Sequence, residues 1–117
     1  MNAEHPLLLE IQKGESKTLE FKQQLPKGQQ IAKTLIAFAN SSGGKLIVGV
    51  SDDRQLVGIR EDIFDLQDKI TSMIYELCSP QLAAQIYIES ITGVALLVVA
   101  VARGSLCSSP AKSVGRE

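Results

Sequence analysis

Residues 31–50 constrain the fold of this chain more than any other stretch. Ile31, Leu35, Phe38 and Ala39 recur at helical spacing, Gly43-Gly44 stops that helix, and Lys45-Leu46-Ile47-Val48-Gly49-Val50 follows at once. The second run is short, rich in branched apolar residues and closed by Ser51-Asp52-Asp53, the pattern of a strand buried on both faces. Such a strand needs neighbours along its edges and cover over its faces, so a sheet with helices packed on it is the architecture required.

The flanking sequence extends that reading. Pro6–Lys13 can form a short helix with Leu8, Leu9 and Ile11 on one side and Gly14 as its stop. From Lys17 to Gln23 the residues alternate, Leu19 and Phe21 inward, Glu20 and Lys22 outward, as in a half-buried strand. An amphipathic helix is expected over Gln29–Ser41, and Leu56–Ile59 as a hairpin partner returning across Asp53-Arg54-Gln55. Ile63, Leu66, Ile70, Met73, Ile74 and Leu77 predict a long helix with acidic residues in its first turn, ended by Pro80. Gln85–Ile91 and Val94–Val101 close the fold as strands around Gly93. Phe21, Phe38 and Phe64 fall on the core faces of these elements. The order α-β-α-β-β-α-β-β predicts an α/β (α+β) domain, a mixed β-sheet with helices packed on it.

Composition excludes more than it selects. At 117 residues the chain is one domain at most. The opening MNAEHPLLLEIQ carries an acid and a proline before its leucines, so it is neither a signal peptide nor an anchor. No apolar run approaches the roughly 20 residues needed to span a bilayer. A cytoplasmic chain with no membrane partner is the expectation. Cys78 and Cys107 lie apart with no histidine nearby, which argues against zinc, and the lone His5 leaves no Ser-His-Asp arrangement. Neither GxGxxG nor GxxxxGK[ST] occurs, since Gly44-Lys45 is followed by Leu46.

Charge is more informative in its distribution than in its sum. A formal net charge of -1 gives no global case for nucleic acid. From Met1 to Lys45, however, six lysines face four glutamates, whereas Asp52 to Glu89 holds eight acids against three bases. Aromatic residues make up 4% with no tryptophan, so base stacking on an aromatic platform is not expected. Contact with DNA or RNA would run through phosphates, with Lys17, Lys22, Lys27, Lys33, Lys45, Arg103 and Lys112 as the candidate cations.

Glu15, Glu20 and Asp52 fall before a strand, on its polar face and just past the end of another, positions from which side chains can converge at one sheet rim. Carboxylates so placed hold Mg or Mn, and the ion would polarise a phosphate and activate water. On spacing alone the same residues read first as a solvent-facing strand with an ordinary Glu20 and Lys22, and Asp52-Asp53 as turn residues. The sequence itself requires no cofactor.

Taken in order, Glu15-Ser16, Leu19-Glu20-Phe21-Lys22, Ala37 through Gly44, Ile47-Val48-Gly49-Val50 with Asp52-Asp53, and Val57-Gly58-Ile59 resemble the Schlafen Alba-like (AlbA_2) DNA-binding domain family, in the form found in bacterial transcriptional regulators. The resemblance implies DNA binding in a regulator. It also implies an alternative, since some vertebrate Schlafens cleave transfer and ribosomal RNA with a metal held by two glutamates and an aspartate. Those acids would fall on Glu15, Glu20 and Asp52, making the chain an endoribonuclease and an enzyme only on that reading. Where the family continues Arg-Gly-Ser towards Pro-Tyr-Tyr, this chain has Arg103-Gly104-Ser105 and no tyrosine in the residues that follow. The expected organisation is a domain over 1–105 and an extended tail over 106–117 that begins a cut-short C-terminal part. A third reading is an interaction or dimerisation domain, with Val94–Val101 left as an open edge for a second copy.

Overall fold

The computed structural model describes residues 6–25, 28–77 and 83–104. Lys27 and Lys112, the two cysteines, Pro80 and the 106–117 tail lie outside the described residues. Seven elements follow one another: α1 (Pro6–Lys13), β1 (Leu19–Lys22), α2 (Gly28–Ala39), β2 (Gly44–Val48), α3 (Ile63–Leu77), β3 (Ala84–Ile91) and β4 (Val94–Val101). The strands form one sheet in the order β1-β2-β4-β3, with β1 parallel to β2 and the other neighbours antiparallel. Because β1 and β2 are parallel, the chain must cross over between them, and α2 makes that crossover. The expected mixed sheet with helices packed on it is the observed fold.

Strand alternation divides the core between the two faces of the sheet. Leu46, Val48, Leu97, Val99 and Val101 pack under Ile31, Leu35 and Phe38 of α2 and Leu66, Ile70 and Ile74 of α3. Phe21, Ile47, Leu96 and Val98 pack on the opposite face under Leu7 and Ile11 of α1. The continuous apolar runs of β2 and β4 are explained by this double cover.

Gly44 opens β2 directly beneath the α2 terminus. A Cβ built there would lie 2.5 Å from Phe38 Cδ1, so the ring occupies the space any side chain would need. The helix end is held by Gly43 N–H donating to Phe38 O at 2.8 Å.

Four expectations are corrected. Leu56–Ile59 is not a strand but a single bridge, Val50 to Leu56. Its cause is Gly49, at φ 111°, whose carbonyl accepts the N–H groups of both Val57 and Gly58 at 2.8 Å. That local kink ends ladder pairing after one bridge. Along α1, Leu7 and Ile11 are the buried pair, four residues apart, while Leu9 turns outward. Phe64 is 77% exposed, because the buried stripe of α3 runs through Leu66, Ile70 and Ile74. Finally, β4 lies between β2 and β3, so among the described residues the sheet edges are β1 and β3. Dimerisation through an open β4 edge is therefore ruled out. Among the described residues, no helix is long and apolar enough to cross a membrane.

Candidate nucleic-acid interface

β1 is an edge strand of four residues, and its two faces carry different chemistry. Leu19 and Phe21 are buried towards α1. Glu20 and Lys22 pair in register with Leu46 and Val48, which face α2 and α3, so their side chains project on the α2 side. Glu20 Oε2 and Lys22 Nζ form an ion pair at 3.4 Å, both partly exposed.

Between this edge and α2 lies an open hollow. Ser16, Lys17 and Glu20 line it from the strand side, and Lys33, Thr34, Ala37 and Ser41 from the helix. Lys33 and Ala37 are four residues apart and so share one face of α2, and Ser41 follows in the turn just past its end. On the strand side, Ser16 N–H donates to Leu19 O at 2.9 Å, closing a tight turn that carries Lys17 at its exposed tip. Within that turn Thr18 N–H donates to Ser16 Oγ at 3.2 Å. Across the hollow, Ser41 Oγ donates back to Ala37 O at 2.9 Å.

Neither Lys17 nor Lys33 has an ion-pair partner among the described residues. Two uncompensated ammonium groups from separate elements thus face one hollow, with Lys22 beside it on Glu20. Such an arrangement attracts a multiply charged anion and leaves Glu20 as the group that limits how closely it approaches.

Two further sequence candidates among the described residues, Lys45 and Arg103, do not line this hollow. Lys45 donates to both carboxylate oxygens of Glu10, at 3.1 and 3.3 Å, and lines a different hollow with Thr18, Gln85 and Ala100. Arg103 is exposed just past β4, where Gly104 N–H donates to Ala39 O at 2.9 Å.

Among the described residues the three carboxylates do not share one site. Glu15 Oε2 accepts the Phe21 N–H at 2.9 Å, and Glu15 shares a hollow with Gly14, Phe21, Asp52, Asp53 and Arg54. Glu20 precedes Phe21 in the strand and therefore points to the other face. Among the described residues no group of three His, Cys, Asp or Glu stands close enough to hold a metal ion. Glu15 and Asp52 are brought together and Glu20 is not. As placed, these residues do not fit a shared Mg or Mn, and no hydrolytic step is derived through one.

Two roles had no sequence signal. Glu15 satisfies an outward N–H of the edge strand, and Arg54 Nη1 donates to Gln12 O at 3.0 Å, serving a terminal carbonyl of α1. Both contacts depend on where loops fold back, which spacing does not encode.

A sequence profile of the Schlafen AlbA_2 family matches residues 15–116. An ATP-binding protein from Ureaplasma parvum, itself uncharacterized, is 38% identical over 73 residues, 58% of this chain and 21% of that protein. The chain thus spans about a fifth of that relative's length. Among solved structures, the N-terminal domain of a protein from Nitrosomonas europaea, named as related to the ATP-dependent DNA helicase RecG, superposes with a TM-score of 0.69 at 29% identity, covering 88% of this chain and 74% of that one. A protein from Corynebacterium diphtheriae shares the fold with a TM-score of 0.51 at 23% identity, covering 77% of this chain and 18% of that one.

Proposed function

The chain belongs to the Schlafen AlbA_2 family, and from that membership we propose that it is a nucleic-acid-binding module that grips DNA through phosphates within a cytoplasmic transcriptional regulator. The observation that carries the reading is the pair of unpaired lysines, Lys17 from the turn before β1 and Lys33 from α2, lining one hollow. A DNA helicase in the name of the Nitrosomonas europaea protein supports the same chemistry.

Phosphate contact suits the hollow better than base reading. Its one aromatic, Phe38, is 4% exposed and packed into the core, so no ring is offered for stacking. Hydroxyls of Ser16 and Thr34 beside two ammonium groups suit phosphate oxygens. Lys22 adds a third cation once an approaching phosphate competes with Glu20 for it. Binding of this kind is sequence-tolerant and electrostatic.

The test is fluorescence anisotropy with labelled duplex and single-stranded DNA at low salt. Binding that weakens steeply as salt rises is expected, with little preference among sequences of equal length. Absence of binding to either form at low ionic strength would reject the reading.

A further inference from the structure

The two most exposed large apolar side chains among the described residues, Phe64 at 77% and Tyr75 at 71%, both lie on α3. They are eleven positions apart, within about 20° of a whole number of helical turns and about 16 Å apart along the axis. Asp68 and Thr71 are exposed between them on the same stripe, and Asp65, Ser72 and Glu76 are exposed along its flank. The opposite side of the helix is the buried one, through Leu66, Ile70 and Ile74. Two aromatic rings with carboxylates between and beside them thus form one continuous surface.

The carboxylates on this surface are uncompensated. Lys69 is paired with Glu61 at 3.5 Å, and Asp62 Oδ1 accepts the N–H groups of Phe64 and Asp65 as the helix cap. Asp65, Asp68 and Glu76 have no ion pair among the described residues. An acidic face repels phosphate, so nucleic acid is not its occupant. A second copy is disfavoured for the same reason, because antiparallel pairing of two α3 helices through the rings would set acidic stripe against acidic stripe.

We propose that this face of α3 docks an arginine-bearing protein segment, with guanidinium groups stacked on Phe64 and Tyr75 and paired with Asp68 and its neighbours. Arginine is the side chain that does both, since its planar cation stacks on a ring face while its N–H groups bind a carboxylate. Two arginines four positions apart on one face of an extended segment stand about 13 Å apart, and their long side chains cover the remaining distance between the rings. The surface is independent of the lysine hollow and lets the module hold a protein partner and nucleic acid at once.

The experiment titrates the isotope-labelled chain with a Gly/Ser peptide carrying two arginines four positions apart, followed by amide NMR shifts, alongside the matching lysine and glutamate peptides. Shifts confined to α3 are expected, with the arginine peptide binding a few-fold tighter than the lysine one and the glutamate peptide not binding. Phe64→Ser/Tyr75→Ser, and separately Asp68→Lys, should each weaken the arginine peptide by about tenfold. All three side chains are exposed, so the variants should melt with the wild type; Asp68→Lys keeps both rings and tests the charge alone. Equal affinity in both variants, shifts elsewhere than on α3, or a dimer in sedimentation that these substitutions abolish would overturn the proposal.

Discussion

Glu15 holds the edge of the sheet through its own carboxylate, which accepts the Phe21 N–H at 2.9 Å. A hydrogen bond to a charged, exposed acceptor is worth about 1 kcal/mol here, towards the low end because water competes for both groups. Glu15→Ala should therefore lower unfolding free energy by about that amount in a urea titration, and Glu15→Gln, whose amide oxygen still accepts, by less. Equal loss in the two variants would place the contribution in charge and not in the bond. At Gly44 the constraint is steric. Gly44→Ala should destabilise by about 1–3 kcal/mol, because the methyl meets the Phe38 ring. Combined with Phe38→Leu, the loss should be smaller than the sum of the two single losses, and strict additivity would contradict the clash. Glu15, Glu20 and Asp52 were legible as acids near strand ends, and Glu20 as outward-facing. What spacing did not reveal is that the turn at Ser16–Leu19 folds Glu15 back onto the outer edge of β1, where its carboxylate is engaged by the Phe21 N–H.

Elements with a strong period were readable from sequence. Pro6–Lys13 and Val94–Val101 appear with the expected bounds, the first set between Pro6 and Gly14 and the second an unbroken apolar run opened by Gly93. Leu56–Ile59 has equal strand character in sequence, yet its pairing is decided by contact with Gly49, a non-local event. Phe64 lies off the Leu66, Ile70, Ile74 stripe and owes its exposure to where α3 meets the sheet. The start of α3 depends on Asp62, whose Oδ1 accepts the Phe64 N–H at 2.8 Å and the Asp65 N–H at 3.3 Å. Asp62→Ala should cost about 1 kcal/mol of stability, and Asp62→Asn much less, because the amide oxygen of asparagine still accepts the capping N–H groups. A thermal melt of the two variants checks this; loss in both would mean that charge, not capping, matters.

Across the whole molecule a net charge of -1 conceals a division of labour. Unpaired lysines gather between the β1 edge and α2, while α3 turns uncompensated carboxylates and two aromatic rings outward. Lys45 is the internal control, held by Glu10 in a separate hollow. The most direct measurement is the slope of log affinity against log salt for a DNA duplex, compared among wild type, Lys17→Ala/Lys33→Ala and Lys45→Ala. With two phosphate contacts removed, the double variant should lose about 2 from the magnitude of the slope and bind more weakly at low salt, while Lys45→Ala stays close to wild type. A double variant with the wild-type slope, or a larger loss in Lys45→Ala, would contradict the assignment of DNA binding to this hollow.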